Sequence, residues 1–506
     1  MRLKSSGRRG GPPSAATRSS VARRAFSAAA CGLTLLLAGS CAQNNAAFDG
    51  MPSSNAEIGL ASPGDASTTP REARVAPETI DQRIGTAFSA PPAPNPERSG
   101  RVKPAFRPTL TGMLRPDTLA DPGRFEGGAK PEPAIPEPKI AGPLSRFYAK
   151  LAALESGKRT EPVTILHIGD SHVASDSFTR GIRTRLQARF GDAGRGMVIP
   201  AGVFPHAAAD QVSMQRNGAW QASSSLKEKA GPYGLSGVRL TSGSSGSSIT
   251  LKASGGAFDW AEVTVAGGAG TGSFEVSVDG RATRFPPQKG AAATVRVDAR
   301  GQTLTVRPIG DGPVSVLNWA TGREKPGIRY VNFGIVGATV DVTRRWDPAI
   351  VANDLRTLKP DLIVYGYGTN EGFNDNLDAD AYRDYAARFV AGLRAGAPQA
   401  DVMFIGAADG ARRGRGKGCG GAWSTPAKLD TVRAAVRDVA ARSTAGYWNW
   451  SDAMGGRCGI ESWAAKGLAA KDRVHLTAKG YDVSADAFVE DLMAPLDRAI
   501  PVAMTH

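Results

Sequence analysis

The run Val163-Thr-Ile-Leu-His-Ile-Gly-Asp-Ser-His172 decides how this chain is read. A short, β-branched, apolar stretch that stops at a glycine is a buried strand entering a tight turn. Directly after it, Phe178, Ile182, Leu186 and Phe190 recur four apart, the spacing of an amphipathic helix. Strand, glycine turn and helix make one β-α unit. A serine in such a turn lies at the carboxyl end of its strand, where open α/β sheets hold ligands. Taken alone, Ser171 is equally well read as a helix cap.

Working outward, the same grammar repeats. Upstream, Leu144, Phe147, Tyr148, Leu151 and Leu154 predict a helix. Downstream, strands are predicted over 329–336, over Asp361-Leu-Ile-Val-Tyr365 and over Asp401-Val-Met-Phe-Ile-Gly406. Helices are predicted over 348–358, 379–395, 426–443 and 478–497. Alternating strands and helices imply an α/β fold with a parallel sheet covered on both faces. Between residues 202 and 326 the period drops to two. Val238-Arg-Leu-Thr, Ser248-Ile-Thr-Leu, Ala261-Glu-Val-Thr-Val, Ser273-Phe-Glu-Val-Ser-Val, Thr294-Val-Arg-Val and Thr303-Leu-Thr-Val-Arg alternate between Gly-, Ser- and Pro-rich breaks. That pattern predicts a β-sandwich of jelly-roll type, inserted into the α/β domain.

The N-terminal part has another character. Residues 1–41 carry seven basic side chains and no acid, then the apolar stretch 25–38 and Ala38-Gly39-Ser40-Cys41. This reads as an export signal of lipoprotein type, with Cys41 as the lipidated residue; ordinary cleavage after Ala42 is the alternative. Residues 42–140 hold 16 of the 34 prolines and keep no helical or strand period, so they are read as an extended tether without a core. Folded structure is expected over 141–201, 202–326 and 327–500. The expected location is the periplasm or outer envelope, with the membrane reached through the lipid.

Charge excludes less than it promises. The formal net charge is +15, but removing the seven leader residues leaves 55 basic against 47 acidic side chains. Such a diffuse excess is no nucleic-acid footprint. The dense run Arg412-Arg-Gly-Arg-Gly-Lys417 lies in a Gly-rich segment and reads as a solvated loop near an anionic polymer. Five histidines, at 167, 172, 206, 475 and 506, and no Cys-x-x-Cys pair argue against a zinc ribbon or zinc protease. No metal and no cofactor is expected.

With so few imidazoles, the base for a serine nucleophile is found by elimination. His506 is terminal, His167 lies inside a strand, His206 opens the insert, and His172 is too close to Ser171 along the chain. His475 remains, in Asp472-Arg-Val-His475, where a carboxylate three residues away can hold the right tautomer. A surface histidine beside a helix start is the alternative. Asn332-Phe-Gly-Ile-Val-Gly337 and Gly366-Tyr-Gly-Thr-Asn370-Glu371 also follow strands and offer a freed backbone N–H and a side-chain amide. Those are the donor types of an oxyanion hole; a glycine turn and a polar cap are the alternatives.

Together the four blocks resemble the SGNH (GDSL-type) hydrolase superfamily in order, context and residue identity. The resemblance implies a flavodoxin-like three-layer fold with Ser171 as nucleophile and His475 and Asp472 completing a triad. It also implies an oxyanion hole from Ser171, Gly337 and Asn370. His172 stands where leucine is common, and Glu371 where aspartate often follows the asparagine. Leu166-His-Ile-Gly-Asp-Ser-His-Val-Ala-Ser-Asp176, the β-rich insert, Trp448-Asn-Trp450 and Val474-His-Leu-Thr-Ala-Lys-Gly-Tyr481 resemble, more narrowly, bacterial peptidoglycan O-acetylesterases. The implied partner is O-acetylated peptidoglycan or another acetylated glycan. An acetyltransferase, a deacylase of another envelope polysaccharide or lipid, and an inactive glycan-binding lipoprotein are the alternatives. Export also bears on Cys419 and Cys458, the two thiols left in the folded part, which an oxidising compartment tends to pair. Two free thiols are the alternative.

Overall fold

Five strands, Val163–Gly169, Ile328–Gly334, Leu362–Gly366, Asp401–Gly406 and Gly446–Asn449, run parallel in one sheet. Numbered by chain order, their spatial order is 2-1-3-4-5. The computed structural model describes residues 139–204, 209–414 and 418–499. The leader, nearly all of the tether, Cys41, His206 and His506 therefore lie outside the described residues.

Alternation along each parallel strand sorts side chains onto two faces. Leu166, Ile168, Val331, Phe333, Ile363, Tyr365, Val402 and Phe404 pack in one apolar cluster, with the helices Pro348–Leu358, Ala379–Gly396 and Leu429–Arg442. Val163, Ile165, Ile328, Tyr330, Leu362, Val364, Met403 and Ile405 pack in the other, with Ser145–Glu155, Ser177–Phe190 and Ala478–Ala499. Strands buried on both faces read as continuous apolar runs, which is why most of them were legible. Two corrections apply. The sheet is mixed, because Ile140–Ala141, expected at the tether boundary, pairs antiparallel with Gly446–Asn449 at one edge. The strand Gly446–Asn449 was not predicted; four residues are too few to show a period.

The region after the first β-α unit forms two antiparallel sheets. One is five-stranded, in the order Arg281–Phe285, Phe274–Val278, Thr303–Pro308, Ser248–Ala253, Val212–Asn217. The other runs Ala292–Val297, Trp260–Ala266, Val314–Gly322, Val238–Ser242, Gln221–Ser224. Inward-facing residues of both, among them Leu240, Leu251, Val263, Val276, Val306 and Trp319, share one apolar cluster. The β region starts earlier than its expected boundary at 202. Gly196–Val198 pairs antiparallel with Trp319, Ala320 and Thr321, and Arg323 N–H donates to Ala193 O at 3.0 Å.

This region is docked, not loosely appended. Met197, Tyr233, Leu235, Trp260 and Ala320 belong to the same cluster as Leu166 and Val331. Asp354, fully buried on the helix Pro348–Leu358, accepts from Leu235 N–H at 2.9 Å and from Asn318 Nδ2 at 3.0 Å. Burial pushes its carboxyl up to about 7. Among the described residues no helix is long and apolar enough to cross a membrane.

Arg412–Arg413, the start of the basic run, forms one edge of a small three-stranded sheet with Trp423–Ser424 in the middle and Gly418–Gly420 at the other edge. Arg412 pairs with Asp375 at 2.7 Å, and Arg413 lies 5.4 Å from the Trp423 ring centre. Cys419 and Cys458 form a disulfide that ties this sheet to the segment before Asp472.

Candidate active site

Strand order reverses between Val163–Gly169 and Leu362–Gly366, and such a switch point opens a crevice at the carboxyl ends of the strands. In register, Gly169 lies between Gly334 and Gly366. The absence of side chains lets the four-residue helix Ser171–Ala174 settle onto the sheet. A Cβ on Gly334 would come within 2.2 Å of Ala174 N, so only glycine fits there.

Asp170, not Ser171, caps this helix: its Oδ1 accepts from His172 N–H at 3.0 Å. The hydroxyl of Ser171 is thereby free for another partner, and the cap alternative falls. Ser171 Oγ lies 2.9 Å from His475 Nε2, and His475 Nδ1 lies 2.7 Å from Asp472 Oδ2. The other Asp472 oxygen accepts from the Val474 and His475 amides, each at 3.0 Å. Burial works against the Asp472 carboxylate, but these hydrogen bonds and the imidazole outweigh it and hold its pKa at about 2. Burial likewise disfavours a charged His475, yet the hydrogen bond and charge of Asp472 raise its pKa above the ordinary histidine value. His475 is therefore not at a helix start; the following helix begins at Ala478.

The donor residues come to the same edge. Gly337 follows the strand Ile328–Gly334 and has φ of +78°, a conformation that favours glycine. Asn370 sits in the short helix Thr369–Gly372, after Leu362–Gly366, and its Nδ2 donates to Ala338 O at 2.8 Å. A primary amide has two N–H groups, so one stays available. Neither the Ser171 amide nor the Gly337 amide donates to an acceptor among the described residues.

The two other histidines among the described residues, His172 and His167, are buried and hydrogen-bonded to tyrosines. His172 is buried, with Nδ1 2.8 Å from Tyr481 Oη and its ring 5.4 Å from that of His475; burial lowers its pKa to about 3, so it adds no charge. His167 Nδ1 meets Tyr330 Oη at 2.8 Å. Sequence reasoning missed what holds the serine turn. Asn332 donates to Val173 O at 3.0 Å and accepts from Arg195 at 2.6 Å. Arg195 in turn lies 3.5 Å from Asp176, which a fully buried Arg183 grips through both guanidinium nitrogens, at 3.0 and 2.9 Å. The sequence signal was three charged residues around one amphipathic helix: Asp176 just before it, Arg183 inside it and Arg195 after it. Among the described residues no group of three or more His, Cys, Asp or Glu side chains could hold a metal ion.

A serine hydroxyl, an imidazole oriented by a carboxylate, and N–H donors at a sheet edge are the apparatus of acyl transfer to water. The GDSL-like lipase/acylhydrolase family matches residues 308–483. A solved peptidoglycan O-acetylesterase is 31% identical, with a TM-score of 0.63, and the match covers 71% of this chain and 99% of that one. The chain belongs to the GDSL/SGNH hydrolase family. It is an SGNH-type carboxylic ester hydrolase. The family match starts after the Ser171 block because the β region separates that block from the others. A family two carbohydrate esterase from Cellvibrio japonicus is 12% identical, covering 56% of this chain and 99% of that one at a TM-score of 0.25. A GDSL-like lipase from Bacteroides thetaiotaomicron is 18% identical, covering 34% and 77% at 0.24. Neither of these adds to the argument. A search of curated proteins gives no match.

Proposed function

We propose that this hydrolase removes O-acetyl groups from peptidoglycan or a related acetylated glycan of the cell envelope, through an acetyl-serine intermediate. The observation that carries the reading is the continuous relay Ser171–His475–Asp472, at 2.9 and 2.7 Å. Ser171 Oγ attacks the acetyl carbon while His475 Nε2 takes the hydroxyl proton, and Asp472 stabilises the imidazolium that forms. The Ser171 and Gly337 amides and the free N–H of Asn370 receive the oxyanion. His475 then protonates the departing sugar oxygen. Water, deprotonated by the same nitrogen, releases acetate and restores Ser171.

The substrate reading rests on the peptidoglycan O-acetylesterase, whose chain is matched almost end to end. We read the two antiparallel sheets as a jelly-roll-like sandwich inserted into a flavodoxin-like three-layer domain, with boundaries near 196 and 322. The basic leader and Ala38-Gly39-Ser40-Cys41 support export and lipidation at Cys41, with most of residues 42–140 as the tether.

The test is acetate release from O-acetylated peptidoglycan, acetylated xylan and p-nitrophenyl esters of rising chain length, by wild type and Ser171→Ala. The expected result is a preference for peptidoglycan and for acetyl over longer chains, with Ser171→Ala reduced by at least about 10⁴-fold. Turnover retained in a pure Ser171→Ala sample rejects the serine mechanism. Acetate moving to an added sugar in place of water makes the chain a transferase.

A further inference from the structure

The turn that carries Gly337 has little packing at its apex. A Cβ built on Gly337 meets nothing within 4 Å, so side-chain contacts do not fix the apex. Its position is set by the turn's own bond, Ala338 N–H donating to Ile335 O at 3.1 Å, and by its flanks. At the start, Ile335 N–H donates to Gly169 O at 3.1 Å. On the far side two consecutive residues of one short helix take hold. Asn370 Nδ2 donates to Ala338 O at 2.8 Å, and Glu371 Oε1 accepts from Val340 N–H at 2.7 Å.

We propose that Glu371 is a positioning residue for the oxyanion site: with Asn370 it clamps residues 338–340 and so fixes the Gly337 amide. This rests on the acyl-transfer reading above. Glu371 is 2% exposed and pairs with no cation among the described residues, so its presence in an apolar setting calls for a reason. Burial pushes its carboxyl up to about 8, so it is mostly protonated at neutral pH and works as a neutral hydrogen-bonding group. Its Oε2 has no partner among the described residues, and neither has Asp170 Oδ2. An apolar side chain would fill the same volume more cheaply but would leave the Val340 amide buried and unpaired.

The experiment compares Glu371→Gln, which keeps an acceptor oxygen, with Glu371→Leu, which keeps volume only. Three readouts are taken on p-nitrophenyl acetate and the intact protein. They are kcat and KM, the rate of covalent labelling at Ser171 by diethyl p-nitrophenyl phosphate, and the thermal midpoint. Labelling forms a P–O bond and expels p-nitrophenolate, and it needs the same oxyanion donors. For Glu371→Leu we expect kcat and the labelling rate to fall together by about 10–100-fold, with KM within about 2-fold. Glu371→Gln is expected to stay within about 3-fold of wild type on both. A lowered midpoint with wild-type kcat and labelling in folded Glu371→Leu protein overturns the proposal, because the residue is then structural only. Equal loss in both variants also overturns it. Failure of the acyl-transfer reading looks different: wild type itself does not turn over, or Ser171→Ala does.

Discussion

Ser171 and His475 share one hydrogen bond, but the two sides of it are supported in opposite ways. Ser171 is 8% exposed, and its turn is held by residues distant in sequence: Asn332, Arg195 and Tyr481 reach it, directly or through neighbours. The His475 and Asp472 side chains are 37% and 35% exposed, and most of their geometry is made within four residues by Asp472 accepting three hydrogen bonds. On the serine side, position follows from burial, and a defect is a defect of the fold. On the histidine side, position follows from a local loop, and a defect is one of charge and tautomer.

Substitutions on each side test that division. The largest effect is expected for Asp472→Asn, a loss in kcat on the order of 10⁴ with little change in denaturant midpoint. The pH profile must move as well. In the proposed mechanism neutral His475 is the base, so wild-type activity should be lost as pH falls through a pKa held above the ordinary histidine value. Without the Asp472 charge, burial dominates and the acid limb moves to lower pH. An unmoved limb would mean that another group sets it.

Next comes Arg183→Ala, which leaves Asp176 buried with part of its compensation gone; about 3–5 kcal/mol of stability should disappear. Here the denaturant midpoint is the readout, and kcat per folded molecule should change far less than in Asp472→Asn. A wild-type midpoint would break the comparison. The smallest of these three effects is predicted for Asn370→Ala, which lies between the two sides. Losing one oxyanion donor should lower kcat by roughly 10²–10³, or about 2.7–4 kcal/mol. A change confined to KM would assign Asn370 to substrate binding.

The same division explains what could be read beforehand. Asp472-x-x-His475 was legible because its interactions are local, and Gly169-Asp170-Ser171 because a strand ending at glycine announces a turn. Most of the parallel sheet was legible from continuous apolar runs, and six strands of the β region from alternation; Val212–Asn217, Gln221–Ser224, Arg281–Phe285 and Val314–Gly322 were not read. Gly446–Asn449 and Gly196–Val198 were not, since three or four residues carry no period. The chain Arg183–Asp176–Arg195–Asn332–Val173 was also hidden, because no local pattern tells which distant charge a buried aspartate will meet. Glu371 was visible only as a departure from a family habit. Its partner, the Val340 amide, belongs to the backbone and leaves no trace in a sequence.

The placement of the β region also sets an order of assembly. The strand Val163–Gly169 has both sheet neighbours, Ile328–Gly334 and Leu362–Gly366, on the far side of that region. At 5–20 residues per second, a ribosome needs roughly 8–30 s to make the intervening stretch, during which an unpaired apolar strand waits. Joining it to Ile328–Gly334 across a flexible loop of that length would carry an entropy term of roughly 4–5 kcal/mol. Once Gly196–Val198 pairs with Trp319–Thr321, the neck is closed and Ala193 meets Arg323. The β region then acts as a folded spacer whose ends already meet, and the nucleophile strand finds its first neighbour as a nearly local event.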